Sequence, residues 1–255
     1  MANLYYAEGV SSDAFAVGAT VAVTGEEARH AVRVARLRVA ERIAVGDAAG
    51  TVGHGEVVAV DRDRFAVRLD QIEVTAQSRP RLVLVQALAK GDRDERAVEL
   101  ATEFGVDQVI AWQASRSVSR WSGSGAAEKS AKGLAKWAKI AREAAKQSMR
   151  ARVPEVRQFV STDELCDLVG APGVIAAVLH PRADRTLTEW AEMCSHPEVE
   201  QVLMIVGPEG GLSDSEVAGL QRAGATSTVL GSHVLRTSSA GAAALAVLNV
   251  SLRRW

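Results

Sequence analysis

From Arg81 to the C-terminus, short apolar runs alternate with stretches of helical periodicity. Residues 82–88 form a nearly continuous apolar run, which is typical of a parallel strand covered on both faces. Residues 94–104 have helical spacing and stop at Gly105, a residue type that favours helix C-termini. Further strand-like runs follow at residues 106–112, 156–160, 174–180, 202–206 and 227–230. This order predicts an α/β domain built on a mostly parallel sheet.

The first 76 residues have a different pattern. Short β segments, separated by Gly and Asp, indicate a compact β-barrel and lie at residues 19–23, 42–45, 55–60 and 65–72. A helix is predicted over residues 25–38, with Thr24 as its N-cap. Residues 77–80 are interpreted as a linker, because Pro80 interrupts the pattern just before the first long apolar run. The sequence therefore predicts two domains, at residues 1–76 and 80–255.

Bulk features favour a cytoplasmic globular protein. No apolar run approaches the roughly 20 residues that a membrane-spanning helix needs, and the first residues do not resemble a secretory signal. Two cysteines, Cys166 and Cys194, are too few for a disulfide framework or a Cys-type zinc site. No metal ion is expected.

Charge is distributed unevenly along the chain. The formal net charge is −1, but residues 116–152 carry ten Lys or Arg and two Glu, a local balance of +8. Such asymmetry is typical of a protein that binds a polyanion on one face, although a solvated basic helix would produce it too. Trp137 and Ile140, in the middle of this stretch, are interpreted as core or dimer contacts rather than base-stacking platforms.

A glycine-rich loop follows the apolar run that ends at Val206. It reads Gly207-Pro-Glu-Gly-Gly211, and Ser213 with Glu216 then fits a capping box that begins a helix. Such a loop places free backbone N–H groups at the carboxyl edge of a sheet, where α/β proteins bind ligands. Taken alone, the loop could also be a tight turn that binds nothing.

Two further strand ends carry polar or glycine-containing turns. Leu230 leads into Gly231-Ser-His-Val-Leu-Arg-Thr237, and Leu179 leads into His180-Pro181. The ends at Val206 and Leu230 are expected to lie side by side, and all three strand ends together predict a pocket. A Rossmann fingerprint, a P-loop, a nucleophile elbow and metal-ligand spacings are all absent from the sequence.

The two C-terminal segments also carry a family resemblance. Gly207-Pro-Glu-Gly-Gly-Leu-Ser213 and Leu230-Gly-Ser-His-Val-Leu-Arg-Thr237 resemble the cofactor site of the SPOUT methyltransferases, and specifically that of the ribosomal RNA small subunit methyltransferase E family. Further matches to this family occur along most of the chain, at residues 30–36, 86–91, 99–106, 115–117, 137–140, 144–150, 153–154 and 179–181.

The resemblance implies a fold, a cofactor and a reaction. The implied fold class is α/β, with an N-terminal PUA-like β-barrel that helps to hold RNA and a SPOUT domain with a C-terminal trefoil knot. The implied methyl donor is S-adenosylmethionine, and the implied assembly is a homodimer. The implied substrate is N3 of one uridine in the 16S rRNA of the small ribosomal subunit.

Site residues are assigned by position. The resemblance implies cofactor contacts for Leu179, His180, Pro181, Val206, Gly207, Pro208, Glu209, Gly210, Gly211, Leu230, Gly231, Val234, Leu235, Thr237 and Ser239. We expect RNA contacts from Arg29, Arg33, Arg36, Lys90, Arg116 and Arg150. Arg236 is the candidate catalytic residue, because a cation would stabilise a uridine that is losing its N3 proton. An ion pair between Arg236 and Glu209 is the alternative role.

Two departures from the family pattern limit this assignment. Ser238-Ser239-Ala240 stands where the family usually has Glu-Thr-Ala, so no general base is assigned. Arg93-Asp-Glu-Arg96 replaces an expected Lys/Met-type patch, which leaves RNA contacts there open. Two other functions stay open as well: a ribose 2′-O or other base methyltransferase of the same superfamily, and a non-catalytic RNA-binding protein that has kept the fold.

Overall fold

The structure, a computed structural model, describes residues 4–255. It divides into two compact units. The first holds the described residues up to Gln77 together with Ala145–Val153, and the second holds Ser78–Ala144 and Pro154–Trp255. The first three residues of the predicted N-terminal domain lie outside the described residues.

The first unit is built on one sheet of five strands. Its elements are β1 (Leu4–Tyr6), β2 (Thr20–Thr24), α1 (Gly25–Arg33), β3 (Arg42–Gly46), β4 (Thr51–Val60) and β5 (Arg64–Val74). The strand order is β1-β3-β4-β5-β2, with only the β1–β3 pair parallel. Within residues 4–255 no backbone pairing joins β1 to β2, so the predicted barrel is a sheet without a closing strand pair.

Helix α1 ends earlier than the sequence predicts. The expected helix over residues 25–38 stops at Arg33, because Arg36 adopts a left-handed backbone conformation with φ of 57°. The N–H of Leu37 then donates to the carbonyl of Ala31 at 3.0 Å, which closes the helix end. Thr24 does precede the helix as its N-cap residue, but its side chain forms no capping hydrogen bond.

A buried ion pair explains why Ala145–Val153 belongs to the first unit. The Lys146 ammonium lies 3.0 Å from the Glu27 carboxylate, and both side chains are less than a tenth exposed. Glu27 also accepts the backbone N–H of Tyr6 at 3.2 Å. The Tyr6 hydroxyl donates to the carbonyl of Arg150 at 2.7 Å. A buried charge needs such partners, so the segment is fixed to α1 and β1.

The second unit contains a six-stranded sheet flanked by helices. Its strands are β6 (Arg81–Ala87), β7 (Gln108–Trp112), β8 (Glu155–Val160), β9 (Val174–Leu179), β10 (Gln201–Val206) and β11 (Thr226–Thr228). Its helices are α2 (Arg93–Glu103), α3 (Ala126–Gln147), whose last residues belong to the first unit, α4 (Thr162–Val169), α5 (Leu187–Ala191), α6 (Asp214–Arg222) and α7 (Thr237–Ser251). Every pair in this sheet is parallel, which confirms the prediction.

Strand β6 is covered on both faces, as its uninterrupted apolar run predicts. Leu82 and Leu84 face a core layer that includes residues of α2, α3 and α7. Val83 and Val85 face the opposite layer, which includes residues of α4 and α6. Trp137 of α3 is 1% exposed and belongs to the first of these layers, so its interpretation as a core residue is confirmed.

The strand order corrects one prediction. The ends of β10 and β11 do not lie side by side, because the order is β11-β9-β10-β6-β7-β8 and β9 separates them. The chain crosses over after β10, and Ser227 of β11 aligns with Val178 of β9. The three carboxyl ends are nevertheless neighbours at one edge, which is the arrangement that a pocket requires.

Candidate active site

A cleft of about 660 Å³ opens at the carboxyl ends of β9 and β10 and the N-terminus of α7. This volume lies in the range of small-molecule sites. The residues that line the cleft are Arg93, Arg116, Leu179, His180, Pro181, Arg182, Val206, Gly207, Pro208, Glu209, Gly211, Leu212, Val234, Leu235, Arg236, Thr237 and Ala240.

The loop after β10 forms one wall of the cleft, and its glycines are needed for its shape. A Cβ on Gly207 would lie 2.9 Å from Cδ2 of Leu212, so any larger residue at this position would require the buried Leu212 side chain to shift. Gly211 has a φ of +71° and donates its N–H to the carbonyl of Pro208 at 2.9 Å, which closes a tight turn. Ser213 and Glu216 then form the predicted capping box at the start of α6.

The loop between β11 and α7 forms the facing wall. Residues 231–236 are all exposed, and two of them are apolar: Val234 is 80% and Leu235 is 41% exposed. Large apolar side chains that line a concave surface are typical of a site that a ligand covers. Among residues 4–255, the N–H group of Val234 donates to no protein acceptor, so this wall offers a free donor.

One buried hydroxyl joins the two walls. Thr237, the first residue of α7, donates its hydroxyl proton to the carbonyl oxygen of Gly207 at 2.6 Å. The hydroxyl oxygen of Thr237 in turn accepts a hydrogen bond of 2.9 Å from the side-chain amide of Gln86. Gln86 is fully buried at the carboxyl end of β6. These two hydrogen bonds form a relay from Gln86 through Thr237 to Gly207, which holds the two loops at a fixed separation.

Four arginines surround the cleft, and three of them have protein partners. Arg93 lies 3.4 Å from the carboxylate of Glu209. Arg116 donates to the carbonyl oxygens of the glycine loop, and Arg182 lies 3.8 Å from Asp214. Among residues 4–255, the Arg236 guanidinium has no hydrogen bond or ion pair. The alternative ion pair between Arg236 and Glu209 is thus not formed, because Arg93 takes that place.

His180 lies on the third strand end. Its Nδ1 accepts the backbone N–H of Arg182 at 3.3 Å. An accepting Nδ1 places the proton of the neutral imidazole on Nε2, so this nitrogen is available as a donor. Leu179 and Pro181, on either side, also line the cleft.

The cleft brings together most of the predicted cofactor residues. Eleven of the fifteen line it, and Arg236 lines it too. Four lie on the same loops or on α7 without lining the cleft: Gly210, Leu230, Gly231 and Ser239. The sequence reasoning missed Arg93, Arg182, Leu212 and Ala240. Three of these directly follow predicted residues in the chain, whereas Arg93 reaches the cleft from the start of α2.

The residues predicted to contact RNA lie in both units. In the first unit, Arg29 and Arg33 are exposed on α1, Arg36 is exposed in the turn that follows, and Arg150 is half-buried. In the second unit, Lys90 is exposed, and its backbone N–H donates to Glu209 at 3.1 Å. No contact with RNA is tested by this geometry, so these assignments stay predictions.

Metal-binding clusters and membrane-spanning helices are both absent from residues 4–255. This part of the chain contains no group of three or more His, Cys, Asp or Glu that could hold a metal ion. None of its helices is long and apolar enough to cross a membrane. The groups that the cleft offers to a ligand include a backbone N–H, apolar side chains, the Nε2 of His180 and one arginine without a protein partner in residues 4–255.

Models of two known domains match the chain. The model of an RNA methyltransferase domain matches residues 76–249. The model of an RNA methyltransferase PUA domain matches residues 23–70. The second match confirms that the N-terminal domain is PUA-like.

Named relatives match over nearly the whole length. The ribosomal RNA small subunit methyltransferase E of Mycobacterium bovis is 39% identical over 241 residues, which cover 93% of this chain and 89% of the relative. The Bacillus subtilis protein of the same name is 31% identical, over 90% of each chain. Among solved structures, the Neisseria gonorrhoeae protein of this name, bound to S-adenosylmethionine, is 25% identical with a TM-score of 0.84, over 98% of each chain.

Proposed function

The chain belongs to the ribosomal RNA small subunit methyltransferase E family, and we propose that it transfers the methyl group of S-adenosylmethionine to N3 of one uridine in 16S rRNA. The observation that carries this proposal is the cleft between two loops that Thr237 joins through the carbonyl of Gly207. Both loops follow strands of one parallel sheet, at the edge where such sheets bind ligands.

The cleft residues fit S-adenosylmethionine. Apolar side chains of Leu179, Val234 and Leu235 suit the faces of an adenine ring. The N–H of Val234, which has no protein acceptor within residues 4–255, suits a polar edge of a nucleoside. The absence of a Cβ at Gly207 lets Leu212, which also lines the cleft, pack closely against the loop. When bound, this cofactor supplies an electrophilic methyl group on a sulfonium, so the protein needs to position the reactants and not to form a covalent bond.

Arg236 is the residue that we assign to the reacting base. It lines the cleft, it is exposed, and its guanidinium is not engaged by another protein group within residues 4–255. Uridine N3 carries a proton at neutral pH, and a fixed cation lowers the free energy of the anion that forms as this proton leaves. Glu209 is engaged by Arg93 and by the N–H of Lys90, so it orders the cleft rim. No general base is assigned.

The PUA-like domain and the basic stretch would supply RNA affinity. Exposed Arg29, Arg33 and Arg36 lie on one short segment of the first unit. Residues 116–152 carry the local balance of +8, and Lys129, Lys132 and Lys139 are exposed on α3. Cationic side chains of this kind bind phosphates and hold RNA without reading its sequence. We assign RNA binding to residues 1–76 and to the basic stretch, and methyl transfer to residues 80–255.

Three further properties belong to the proposal by family membership. The chain would thread into a trefoil knot at its C-terminal loops, and two copies would form a homodimer. With ribosomal RNA as the substrate, we expect the enzyme to work in the cytoplasm.

Two measurements test the proposed function. Calorimetry with S-adenosylmethionine should detect one site per chain, and failure to bind would favour a non-catalytic RNA-binding protein. Nucleoside analysis of 16S rRNA, from cells with and without the gene, should detect one N3-methyluridine that depends on the gene. A dependent 2′-O-methyl nucleoside in its place would assign the chain to a different methyltransferase reaction.

A further inference from the structure

The loop after β7 reaches the cleft although its strand is not next to β10. Strand β6 separates the two in the sheet. Ser115 in this loop contacts Glu216. The backbone N–H of Ser115 donates to Oε1 of Glu216 at 2.6 Å, and the Ser115 hydroxyl donates to Oε2 at 2.8 Å. Glu216 lies on α6, directly after the glycine loop.

The Glu216 carboxylate serves two partners at once. It also accepts the backbone N–H and the hydroxyl of Ser213, both at 2.8 Å, as part of the capping box. Glu216 is 7% exposed, so the four donors from Ser115 and Ser213 take the place of the water molecules that would solvate an exposed carboxylate. Burial by itself would raise the pKa of Glu216, but the hydrogen bonds from Ser115 and Ser213 lower it below its usual value. The carboxylate is thus ionised at neutral pH.

Arg116 follows Ser115 and packs against the glycine loop. Its Nη1 donates to the carbonyl oxygens of Gly210 at 3.3 Å and of Leu212 at 3.1 Å. A Cβ on Gly210 would lie 3.3 Å from Cβ of Arg116, so the glycine at this position allows the close approach. Gly210 does not line the cleft, so a glycine is needed at this position because of the contact with Arg116.

We propose that Glu216 is a positioning residue of the cleft, which holds Ser115 and Arg116 against the glycine loop and so fixes the position of this loop for the cofactor. Arg116, which the sequence assigns to RNA, here acts as a clamp on two loop carbonyls. The inference rests on the proposed function, since it takes S-adenosylmethionine as the ligand of the loop.

The chain contains a matched control for the capping role of Glu216. Glu164 occupies the equivalent position of the capping box of α4, where it accepts from Ser161 and, within residues 4–255, from no residue of another loop. Glu164→Gln therefore perturbs a capping box without touching the clamp. Arg116→Met is a second variant of the clamp, because it removes the donors to the loop and leaves the Glu216 capping box intact.

The test is calorimetric titration of S-adenosylmethionine into the full-length wild type and three variants, Glu216→Gln, Arg116→Met and Glu164→Gln. We expect Glu216→Gln and Arg116→Met each to weaken binding about tenfold, as the loss of charge-assisted hydrogen bonds to the loop implies. Glu164→Gln should bind within about twofold of wild type, although its helix cap is equally perturbed. At saturating cofactor, kcat of Glu216→Gln should stay close to that of wild type, which a general loss of folding would not allow.

Three outcomes are decisive. If Arg116→Met binds S-adenosylmethionine with wild-type affinity, the inference is overturned. This variant also provides the test in the case that Glu216→Gln does not fold. Equal weakening in Glu164→Gln also overturns it, since capping alone would then explain the effect. A wild-type chain that does not bind S-adenosylmethionine overturns the proposed function instead, so the two failures are distinguishable.

Discussion

The Thr237 hydroxyl donates a hydrogen bond of 2.6 Å to the carbonyl oxygen of Gly207. This bond joins the N-terminus of α7 to the loop after β10, and thereby fixes the two walls of the cleft. The Gln86 amide donates to the same hydroxyl and so directs its proton toward Gly207. The geometry of the cleft thus depends on a side chain in the sheet as well as on its own loops.

Thr237→Val tests this relay. The substitution keeps the shape of the side chain but deprives the Gly207 carbonyl and the Gln86 amide of this partner, which should lower the free energy of unfolding by about 1–3 kcal/mol. We also expect affinity for S-adenosylmethionine to fall about tenfold, by calorimetry. Thr237→Ser keeps the hydroxyl and should retain most of the affinity. Equal affinity in the valine and serine variants would show that the relay does not shape the cleft.

Arg236→Ala tests the cation assigned to the reacting base. Removing a preorganised charge from a forming anion should lower kcat roughly 100-fold. Cofactor affinity should change little, since the guanidinium is assigned to the base. Arg236→Lys should keep part of the rate, and Arg222→Ala, on the exposed face of α6, is the matched control. A kcat for Arg236→Ala close to that of the control would remove Arg236 from the mechanism.

The arginines of α1 are expected to contact phosphates. The double substitution of Arg29 and Arg33 by alanine should weaken RNA binding and reduce the slope of log K against log salt by about 0.7–0.9 for each phosphate that is no longer neutralised. Affinity for S-adenosylmethionine should be unchanged. Arg62→Ala alters an exposed arginine elsewhere in the first unit and serves as the control. An unchanged salt dependence would exclude these arginines from the RNA interface.

The hydrogen bonds to Glu216 predict a pH dependence of stability. Because the pKa of this carboxyl is lowered in the folded protein, its ionised form contributes stability above the pKa of the unfolded chain, near the ordinary value of 4.5. That contribution is lost as the pH falls through the folded pKa. The difference in unfolding free energy between wild type and Glu216→Gln should have its largest value at pH 7 and should decrease below pH 4.5. A difference that does not vary between these conditions would contradict the assignment.

Local patterns predicted much of the second unit. The apolar run of β6 indicated a strand covered on both faces, and Ser213 with Glu216 indicated the start of α6. Both inferences depend only on residues close together in the chain. The glycine loop was located for the same reason, since its conformation is set by Gly207 and Gly211.

Long-range pairing could not be predicted in this way. Gln86 and Thr237 are 151 residues apart, and no local pattern brings an amide in one strand to the hydroxyl that begins the last helix. The position of β9 between β10 and β11 depends on a crossover, which the order of apolar runs does not determine. The alternative role of Arg236, an ion pair with Glu209, could not be excluded from the sequence for the same reason, because Arg93 reaches Glu209 only through the pairing of β6 with β10.

The early end of α1 has a different cause. Helical periodicity continues past Arg33, but Arg36 takes a left-handed conformation that arginine rarely adopts. Sequence propensity favours the longer helix, so the turn must be stabilised by its surroundings. The turn at Arg36 redirects the chain so that the next residue, Leu37, is buried.

The proposed reaction can be measured directly as methyl transfer in vitro. Small ribosomal subunits from cells that lack this protein would be incubated with the purified chain and S-adenosylmethionine labelled with tritium in its methyl group. We expect about one labelled methyl per subunit, recovered on nucleoside analysis as N3-methyluridine, and a strongly reduced rate with Arg236→Ala. Failure to label 16S rRNA, or a label recovered on a ribose or on another base, would exclude the proposed reaction.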